Sequence, residues 1–165
     1  MTRVALSLGA NMGDRLAALQ SAVTALSAMG DIVGVSDVYE TEPVGGPEQP
    51  PYYNAVVVLD TTRTAEQVLQ AAHAAEQARG RTREIRWGAR TLDIDVLAYG
   101  QTVSEDPELT LPHPRATQRA FVMIPWAQVD PQFQLPDGRS VESVGAGLSS
   151  RGVGRLGPLL RTVER

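Results

Sequence analysis

The chain carries the segment RWGARTLDIDVLAYG at residues 86–100, in which two carboxylates interrupt a strand-like apolar run. Leu92, Ile94 and Val96 alternate with Asp93 and Asp95. Because successive side chains of a strand point to opposite faces, the apolar residues predict one buried face and the two aspartates share the other. Two residues of strand rise separate their Cα atoms by about 6–7 Å. Carboxylates at that spacing can converge on one divalent ion or hold a pair of ions.

The paired aspartates favour a magnesium site. Two anions on one strand face repel each other, and burying them is costly unless a positive group lies beside them. Oxygen ligands suit Mg²⁺, which typically takes one or two carboxylates and completes its shell with water and substrate phosphates. The alternative interpretation is a solvent-facing strand whose aspartates merely pair with nearby arginines.

Cationic side chains flank the aspartates on both sides. All 15 cationic residues of the chain are arginine, and the enrichment before the pair is local. The flanking groups are Arg81, Arg83, Arg86 and Arg90 before the pair, and His113, Arg115 and Arg119 after it. Arginine binds phosphate through a planar, bidentate fork. Carboxylates for metal and cations for phosphate predict a phosphoryl-transfer site, although the arginines alone would also fit a solvated charged loop.

The composition limits the class of protein. A length of 165 residues predicts one domain, 1–165, with a real core, and 42% hydrophobic residues suit a globular protein. No apolar run approaches the roughly 20 residues that span a membrane. The absence of cysteine excludes disulfides and thiolate metal sites and suits the cytoplasm. A net charge of −4 argues against a general nucleic-acid-binding protein. Taken together, these features lead us to expect a cytoplasmic protein with neither nucleic-acid nor membrane partners.

The order of predicted elements indicates the fold class. Hydrophobic periodicity, caps and breakers predict strands at 3–9, 31–41, 53–61 and 91–99, and helices at 14–28, 64–79 and 115–128. A short strand near 101–104, a kink or break at Pro125, and a closing helical turn within 157–165 are further expectations. The order β-α-β-β-α-β predicts an α+β, ferredoxin-like sandwich with a mainly antiparallel sheet, extra C-terminal elements and helices on one sheet face.

A second group of residues suits a flat heterocycle. Tyr52 and Tyr53 must face opposite sides of their strand, so only one of them can line a given site. Asn54 offers both a donor and an acceptor to a ring edge, and Phe121 could supply a second stacking surface. Core packing is the alternative for each aromatic residue. Trp87, within an arginine-rich loop, better fits a mobile segment that covers a substrate.

Four segments together resemble the 6-hydroxymethyl-7,8-dihydropterin pyrophosphokinases of folate biosynthesis. They are LSLGANMGDR, YETEPVGGPEQPPYYNAVV, GRTREIRWGARTLDIDVLAYG and LTLPHPRATQRAFVMIPWAQVDP, and they occur in the family's order over most of residues 4–138. The pattern R-W-G-x-R-T-L-D-x-D followed by L-P-H-P is the most specific part. The resemblance implies pyrophosphate transfer from ATP to the pterin hydroxymethyl group, with release of AMP.

The resemblance also implies roles for individual residues. It implies two Mg²⁺ ions bridged by Asp93 and Asp95, with Arg81 and Arg90 as catalytic residues that hold the ATP phosphates. The implied pterin site comprises Thr41, Pro43, Val44, Tyr52, Asn54, Trp87 and Phe121. The implied ATP site comprises His73, Glu76, Arg83, Trp87, Arg90, Val96, Thr110, His113 and Arg119. Arg83 and Trp87 would lie on a loop that closes over the reactants and excludes water. We further expect a monomer.

Two departures and two alternatives accompany this interpretation. Ala89 replaces the family's usual proline, and His73 stands where some members carry glutamine.

A ferredoxin-like regulatory or RNA-binding module is the first alternative, since that topology hosts many binding domains. A Mg²⁺-dependent nucleotidyl or phosphoryl transferase with another acceptor is the second.

Overall fold

A computed structural model describes residues 1–42, 50–79 and 92–159 of the chain. The strands are β1 (Thr2–Ala10), β2 (Asp31–Val35), β3 (Asp37–Thr41), β4 (Tyr52–Thr61), β5 (Asp93–Tyr99) and β6 (Val153–Pro158). The helices are α1 (Arg15–Ser27), α2 (Ala65–Ala78), α3 (Ala120–Val129) and α4 (Val141–Ala146), with a 3₁₀ turn at Ala116–Gln118. None of these helices has the length and apolar character needed to cross a membrane.

The described strands form one six-stranded sheet, which confirms the predicted fold class. Its order is β5-β1-β4-β3-β6, and β2 also pairs with β4. Each of these pairings is antiparallel. The first and last strands of the β-α-β-β-α-β unit are therefore neighbours, and β5 lies at an edge of the sheet among the described elements.

Alternate residues of the central strands supply two cores on opposite sheet faces. On β4, Ala55, Val57 and Leu59 pack with α1 and α2, whereas Val56 and Val58 pack with α3 and α4. This arrangement corrects the expectation that helices cover only one face. The second face is covered at one end, and the other end carries the polar residues described below.

The two helices of the first face begin at caps that the sequence predicts. Asp14 accepts a hydrogen bond from the Ala17 N–H at 3.0 Å and starts α1. Thr64 and Gln67 form a reciprocal capping box at the start of α2. These bonds satisfy N–H groups that have no partner inside the helix, which fixes where each helix begins.

The predicted strand 31–41 is divided at Ser36. The Ser36 hydroxyl accepts the Val56 N–H at 2.8 Å and donates to the Asp37 carbonyl at 2.8 Å. A side-chain oxygen thus takes the place of a backbone carbonyl in the ladder, so the register slips there. Both resulting strands still pair with β4, which explains why the apolar pattern reads as one element.

The C-terminal third differs more from the predictions. The expected strand at 101–104 is wrong: the chain turns at Gly100, whose φ is +53°, and Ser104 forms only a single bridge with Leu111. The third helix is divided into a 3₁₀ turn and α3, and α3 continues through Pro125. A closing helical turn was expected within 157–165, but its first two residues belong to β6, which extends to Pro158. Residues 160–165 lie outside the described part, so the rest of this expectation stays a prediction.

Replacing Thr64 with alanine removes the capping box of α2. We expect the Thr64→Ala variant to lose about 0.5–2 kcal/mol of unfolding free energy in urea titrations, because the Gln67 N–H loses its acceptor. Thr62→Ala, an exposed threonine two residues earlier, is the matched control. Equal losses in the two variants would contradict the capping role.

Candidate active site

Asp93 and Asp95 lie on the sheet face opposite α1 and α2. Leu92, Ile94 and Val96 belong to the core beneath those helices, as the alternation predicts. The two aspartates are half-buried, and their cross-strand partners on β1 are Gly9 for Asp93 and Ser7 for Asp95. The carboxylates therefore project from one face of an edge strand.

A bulge ends the polar part of this face. The register between β1 and β5 shifts between Ala5 and Leu6, which pair with Ala98 and Val96. Leu97 and Ala98 consequently both join the core under α3. The face of β5 changes from charged to apolar within two residues, and α3 covers only the apolar end.

Two cavities meet at the aspartates. The larger has a volume of about 590 Å³ and is lined by Ser7, Leu8, Gly9, Thr41, Glu42, Tyr52, Asn54, Asp93, Asp95, Arg115, Arg119 and Phe121. The smaller has a volume of about 290 Å³ and is lined by Leu69, His73, Glu76, Asp93, Ile94, Asp95, Val96, Pro107, Glu108, Leu109, Thr110, His113 and Pro114. Asp93 and Asp95 line both, so these carboxylates stand between two compartments.

The larger cavity contains an amide held in one orientation. The Asn54 Nδ2 donates to the Thr41 Oγ1 at 2.7 Å, and both residues are buried. Gly9 lies opposite Asn54, and a Cβ at Gly9 would come within 3.2 Å of the Asn54 Oδ1. The Thr41 hydroxyl thus holds the amide where it lines the cavity, using one of the two N–H groups of the amide, and the absence of a Cβ at Gly9 leaves room for the amide oxygen.

Aromatic and cationic side chains complete the larger cavity. Tyr52 lines it, whereas Tyr53 packs against the core on the helix side, as strand alternation requires. Phe121 lies in the first turn of α3, and the Arg119 guanidinium carbon is 5.7 Å from its ring centroid. The cavity therefore combines two aromatic rings with a polar end, an arrangement that suits a flat polar heterocycle.

The smaller cavity is built around a buried carboxylate on α2. Glu76 is 3% exposed, and its Oε2 accepts the Ile94 N–H at 2.8 Å. Ile94 lies between the two aspartates, and β5 has β1 on its other side. Glu76 therefore satisfies a backbone donor on the outer edge of β5 and fixes the strand that carries Asp93 and Asp95.

His113 faces the smaller cavity as a neutral donor. Its backbone N–H donates to the Leu97 carbonyl at 2.8 Å, which attaches this segment to β5. Burial lowers the pKa of His113, and the charges of Arg119 and Arg115 lower it further, against an opposing effect of Asp93. The Arg115 N–H donates to Nδ1 at 3.2 Å, so the proton of the neutral ring is on Nε2.

The structure brings most of the sequence-derived site residues to these two cavities. Among the described residues, only Arg119 lines a different cavity from the other residues of its predicted site. It lines the larger cavity, whereas His73, Thr110 and His113 of the predicted ATP site line the smaller one. Pro43, Val44, Arg81, Arg83, Trp87, Ala89 and Arg90 lie outside the described residues.

Sequence reasoning missed several lining residues. Ser7 and Gly9 flank Leu8 on β1 and face the aspartates across the strand pair. Their alternation with the apolar Leu6 and Leu8 is the signal that could have placed them there. Glu42 also lines the larger cavity, but nothing in its local pattern marks it, whereas Arg115, which lines the same cavity, belongs to the cations predicted beside the aspartates.

The donor set at the aspartates suits a metal that shares its shell with a substrate. Within residues 1–42, 50–79 and 92–159, no group of three or more His, Cys, Asp or Glu side chains is placed to hold an ion. Two carboxylates on one strand face remain, at a wall open to two cavities. Mg²⁺ commonly uses one or two carboxylates and leaves positions for phosphate oxygens, so the residues present fit that ion.

Comparison with known proteins identifies the family. The family model described as 7,8-dihydro-6-hydroxymethylpterin-pyrophosphokinase (HPPK) matches residues 5–131, more than half of the chain. The chain belongs to the HPPK family. The matched range contains every described residue that lines the two cavities, from Ser7 to Phe121.

Curated relatives of the HPPK family match over most of this chain. A 2-amino-4-hydroxy-6-hydroxymethyldihydropteridine pyrophosphokinase of Pseudomonas aeruginosa is 37% identical over 93% of this chain and 96% of its own length. The Mycobacterium leprae protein of the same name is 48% identical over 82% of this chain and 75% of its own. Both support membership of the HPPK family.

A solved structure supports the fold. A crystal structure of HPPK-DHPS in complex with substrates superposes with a TM-score of 0.67 at 12% identity. The alignment covers 88% of this chain and 43% of that one, so this chain spans less than half of the longer protein. At this identity the likeness concerns the fold of the HPPK part.

Removing the carboxylate of Glu76 tests its hold on β5. In the Glu76→Ala variant we expect faster hydrogen exchange of the Ile94 amide and a loss of about 1–3 kcal/mol in unfolding free energy, because a buried donor loses its acceptor. Glu76→Gln keeps an acceptor oxygen and should lose less. Glu66→Ala, exposed on the first turn of the same helix, is the control. Wild-type exchange at Ile94 in Glu76→Ala would refute this role.

Proposed function

We propose that this protein transfers pyrophosphate from ATP to the hydroxymethyl group of 6-hydroxymethyl-7,8-dihydropterin, giving AMP and the pterin diphosphate in folate biosynthesis. One observation carries the proposal: two cavities of different chemistry share the carboxylates of Asp93 and Asp95. A reaction that joins a flat ring to a phosphate chain needs such an arrangement. The names of the HPPK relatives point to the same activity.

The larger cavity is proposed as the pterin site. Tyr52 and Phe121 would stack on the ring with the strength of ordinary aromatic pairs, about 0.5–1.5 kcal/mol each. The amide of Asn54, held by Thr41, would read the polar edge of the pterin. Pro43, Val44 and Trp87 complete the site that the family resemblance implies.

The smaller cavity is proposed as the ATP site. His73, Glu76, Val96, Thr110 and His113 line it. The Nε2–H of His113 would donate to a phosphate oxygen. Arg83, Trp87 and Arg90 belong to the same proposed site, and Arg81 and Arg90 are the proposed catalytic arginines. Arg119, which lines the larger cavity, would reach the phosphates from the pterin side.

Two Mg²⁺ ions are proposed at Asp93 and Asp95, completed by the triphosphate. When bound, Mg²⁺ neutralises charge on the phosphate oxygens and makes the β-phosphorus more electrophilic. The support is the donor set: two half-buried carboxylates on one strand face, at the wall between the cavities.

The residues of the chain supply orientation. The oxygen of the pterin hydroxymethyl group forms a bond to the β-phosphorus, the bond from that phosphorus to the α,β-bridging oxygen breaks, and AMP leaves. The hydroxyl proton passes to solvent. Tyr52, Asn54 and Phe121 would hold the acceptor, and His113 and the arginines would hold the donor in line, so positioning supplies most of the rate.

The domain count, oligomeric state, localisation and partners that the sequence suggests remain predictions. We propose that residues 1–165 act as one domain, as a cytoplasmic monomer whose partners are ATP and the pterin, without nucleic acid or membrane. The net charge of −4 supports the part of this proposal that concerns nucleic acid.

The nucleotide product tests the proposed activity directly. Incubation of the protein with ATP, Mg²⁺ and the reduced pterin should give AMP in equal amount to the pterin diphosphate, measured by chromatography. ADP would instead indicate a single phosphoryl transfer, and no nucleotide turnover would indicate a binding module. Either result would reject the proposal.

Replacing Asp95 with alanine tests the metal site. The Asp95→Ala variant should lose turnover by about 100-fold or more, since one proposed metal ligand is gone, while its circular dichroism and melting temperature stay near those of the wild type. Asp31→Ala, an exposed aspartate at the start of β2, is the control. Turnover of Asp95→Ala at the level of Asp31→Ala would refute the assignment.

A further inference from the structure

Asn11, on the turn after β1, and Arg15, the first residue of α1, contact the residues at the start of β4. The Arg15 Nη1 donates to the Pro51 carbonyl at 2.8 Å, and the Arg15 guanidinium carbon lies 3.9 Å from the centroid of the Tyr53 ring. The Asn11 Nδ2 donates to the Pro50 carbonyl at 3.3 Å. The residues that precede and follow Tyr52 are therefore both in contact with Arg15.

The position of Arg15 is not explained by the stability of α1. Arg15 is the first residue of the helix, where the partial positive charge of the helix end disfavours a cation. Asp14 already caps this end through its bond to the Ala17 N–H. Since the local rule favours an acidic or neutral residue here, the contacts with Pro51 and Tyr53 are the feature that accounts for an arginine.

The chemistry of Pro51 makes this contact effective. Proline has no N–H, so the carbonyl is the only backbone group through which Pro51 can be hydrogen-bonded. The planar guanidinium donates to that carbonyl and covers the Tyr53 ring at the same time, which a lysine cannot do with one flat group. Two contacts therefore restrict the backbone on both sides of Tyr52.

Strand alternation transmits this restriction to the other face of the sheet. Tyr53 packs on the face of α1 and α2, so Tyr52 points into the larger cavity, where Asn54 and Phe121 also lie. Arg15 itself is not among the residues that line either cavity. It acts from the opposite side of the strand.

We propose that Arg15 is a positioning residue for the ring substrate: by fixing Pro51 and Tyr53 from the helix side, it sets Tyr52 in advance for stacking on a flat heterocycle. The inference rests on the proposed function for the identity of that heterocycle, the dihydropterin. A site ordered before binding loses less freedom when the ligand arrives, so the effect belongs to ring affinity and not to the nucleotide.

The test compares binding of two ligands to matched variants. Affinities for 6-hydroxymethyl-7,8-dihydropterin and for ATP with Mg²⁺ are measured separately by equilibrium titration, each without the other substrate. Arg15→Met should weaken dihydropterin binding about tenfold and change ATP binding less than about twofold. In turnover, the KM for the pterin should rise while kcat changes less than about threefold.

Further variants separate positioning from general stability. Tyr53→Leu removes the ring contact but keeps the bond to Pro51, and Arg15→Lys keeps a cation without the planar fork; both should give intermediate losses. The double variant Arg15→Met/Tyr53→Leu should be no weaker than Arg15→Met, because the two residues act as a unit. Arg63→Met, an exposed arginine beyond the far end of β4, should match the wild type.

The outcomes distinguish this inference from the proposed function. Equal weakening of both ligands in Arg15→Met, or the same result as Arg63→Met, would overturn the role of Arg15. A wild-type protein that does not bind the dihydropterin would overturn the proposed function. In that case, hydrogen exchange of the Tyr52 and Tyr53 amides still decides the local claim: it should be faster in Arg15→Met, and unchanged exchange would overturn it.

Discussion

The constraint on which the site depends is the presence of two like charges on one face of a strand. Side chains alternate along β5, so Asp93 and Asp95 must share a face while Ile94 and Val96 fill the core beneath α1 and α2. Half-buried carboxylates so close together repel each other unless a cation lies between or beside them. The fold does not remove this repulsion by exposing the pair fully to water. It places the carboxylates at the wall between two cavities, where the proposed metal ions and phosphate chain would contact them.

The surrounding elements keep this edge strand in place. On one side β5 pairs with β1, and on the other the buried carboxylate of Glu76 accepts the Ile94 N–H. The backbone of His113 donates to Leu97 just beyond the aspartates. The bulge at Leu97 then turns the same strand face apolar and brings it under α3. Because α3 covers only that end, the charged end remains open to the cavities.

The sequence allowed the framework to be predicted where the signal is local. The capping pair Thr64 and Gln67 marks α2, and the alternation around Asp93 marks β5. The predictions failed where a distant partner decides the structure. Ser36 divides one apolar strand because its hydroxyl reaches Val56 on β4, and β6 forms because β3 offers it an edge. The glycine-rich pattern of residues 153–158 contains no sign of that partner.

In the candidate site, too, local patterns could be predicted from the sequence and long-range contacts could not. Strand alternation was enough to separate Tyr52 from Tyr53 and to place the aspartates together. It could not show that Glu76 accepts a backbone N–H of β5, or that Arg119 lies beside Phe121 and lines the larger cavity. Those neighbours depend on how α2 and α3 pack on the sheet. Many of these residues could be predicted from the resemblance to the HPPK family, but only the structure shows which of them line each of the two cavities.

Counting bound metal ions provides the sharpest test of the metal site proposed at Asp93 and Asp95. Mn²⁺ is titrated into the protein by electron paramagnetic resonance with a non-hydrolysable ATP analogue present, in the wild type and in a variant with both Asp93→Asn and Asp95→Asn. We expect two protein-dependent Mn²⁺ sites in the wild type and their loss in the variant, whose fold is retained. Equal Mn²⁺ binding by the two proteins, or none beyond that of the free nucleotide in the wild type, would contradict the proposed metal site.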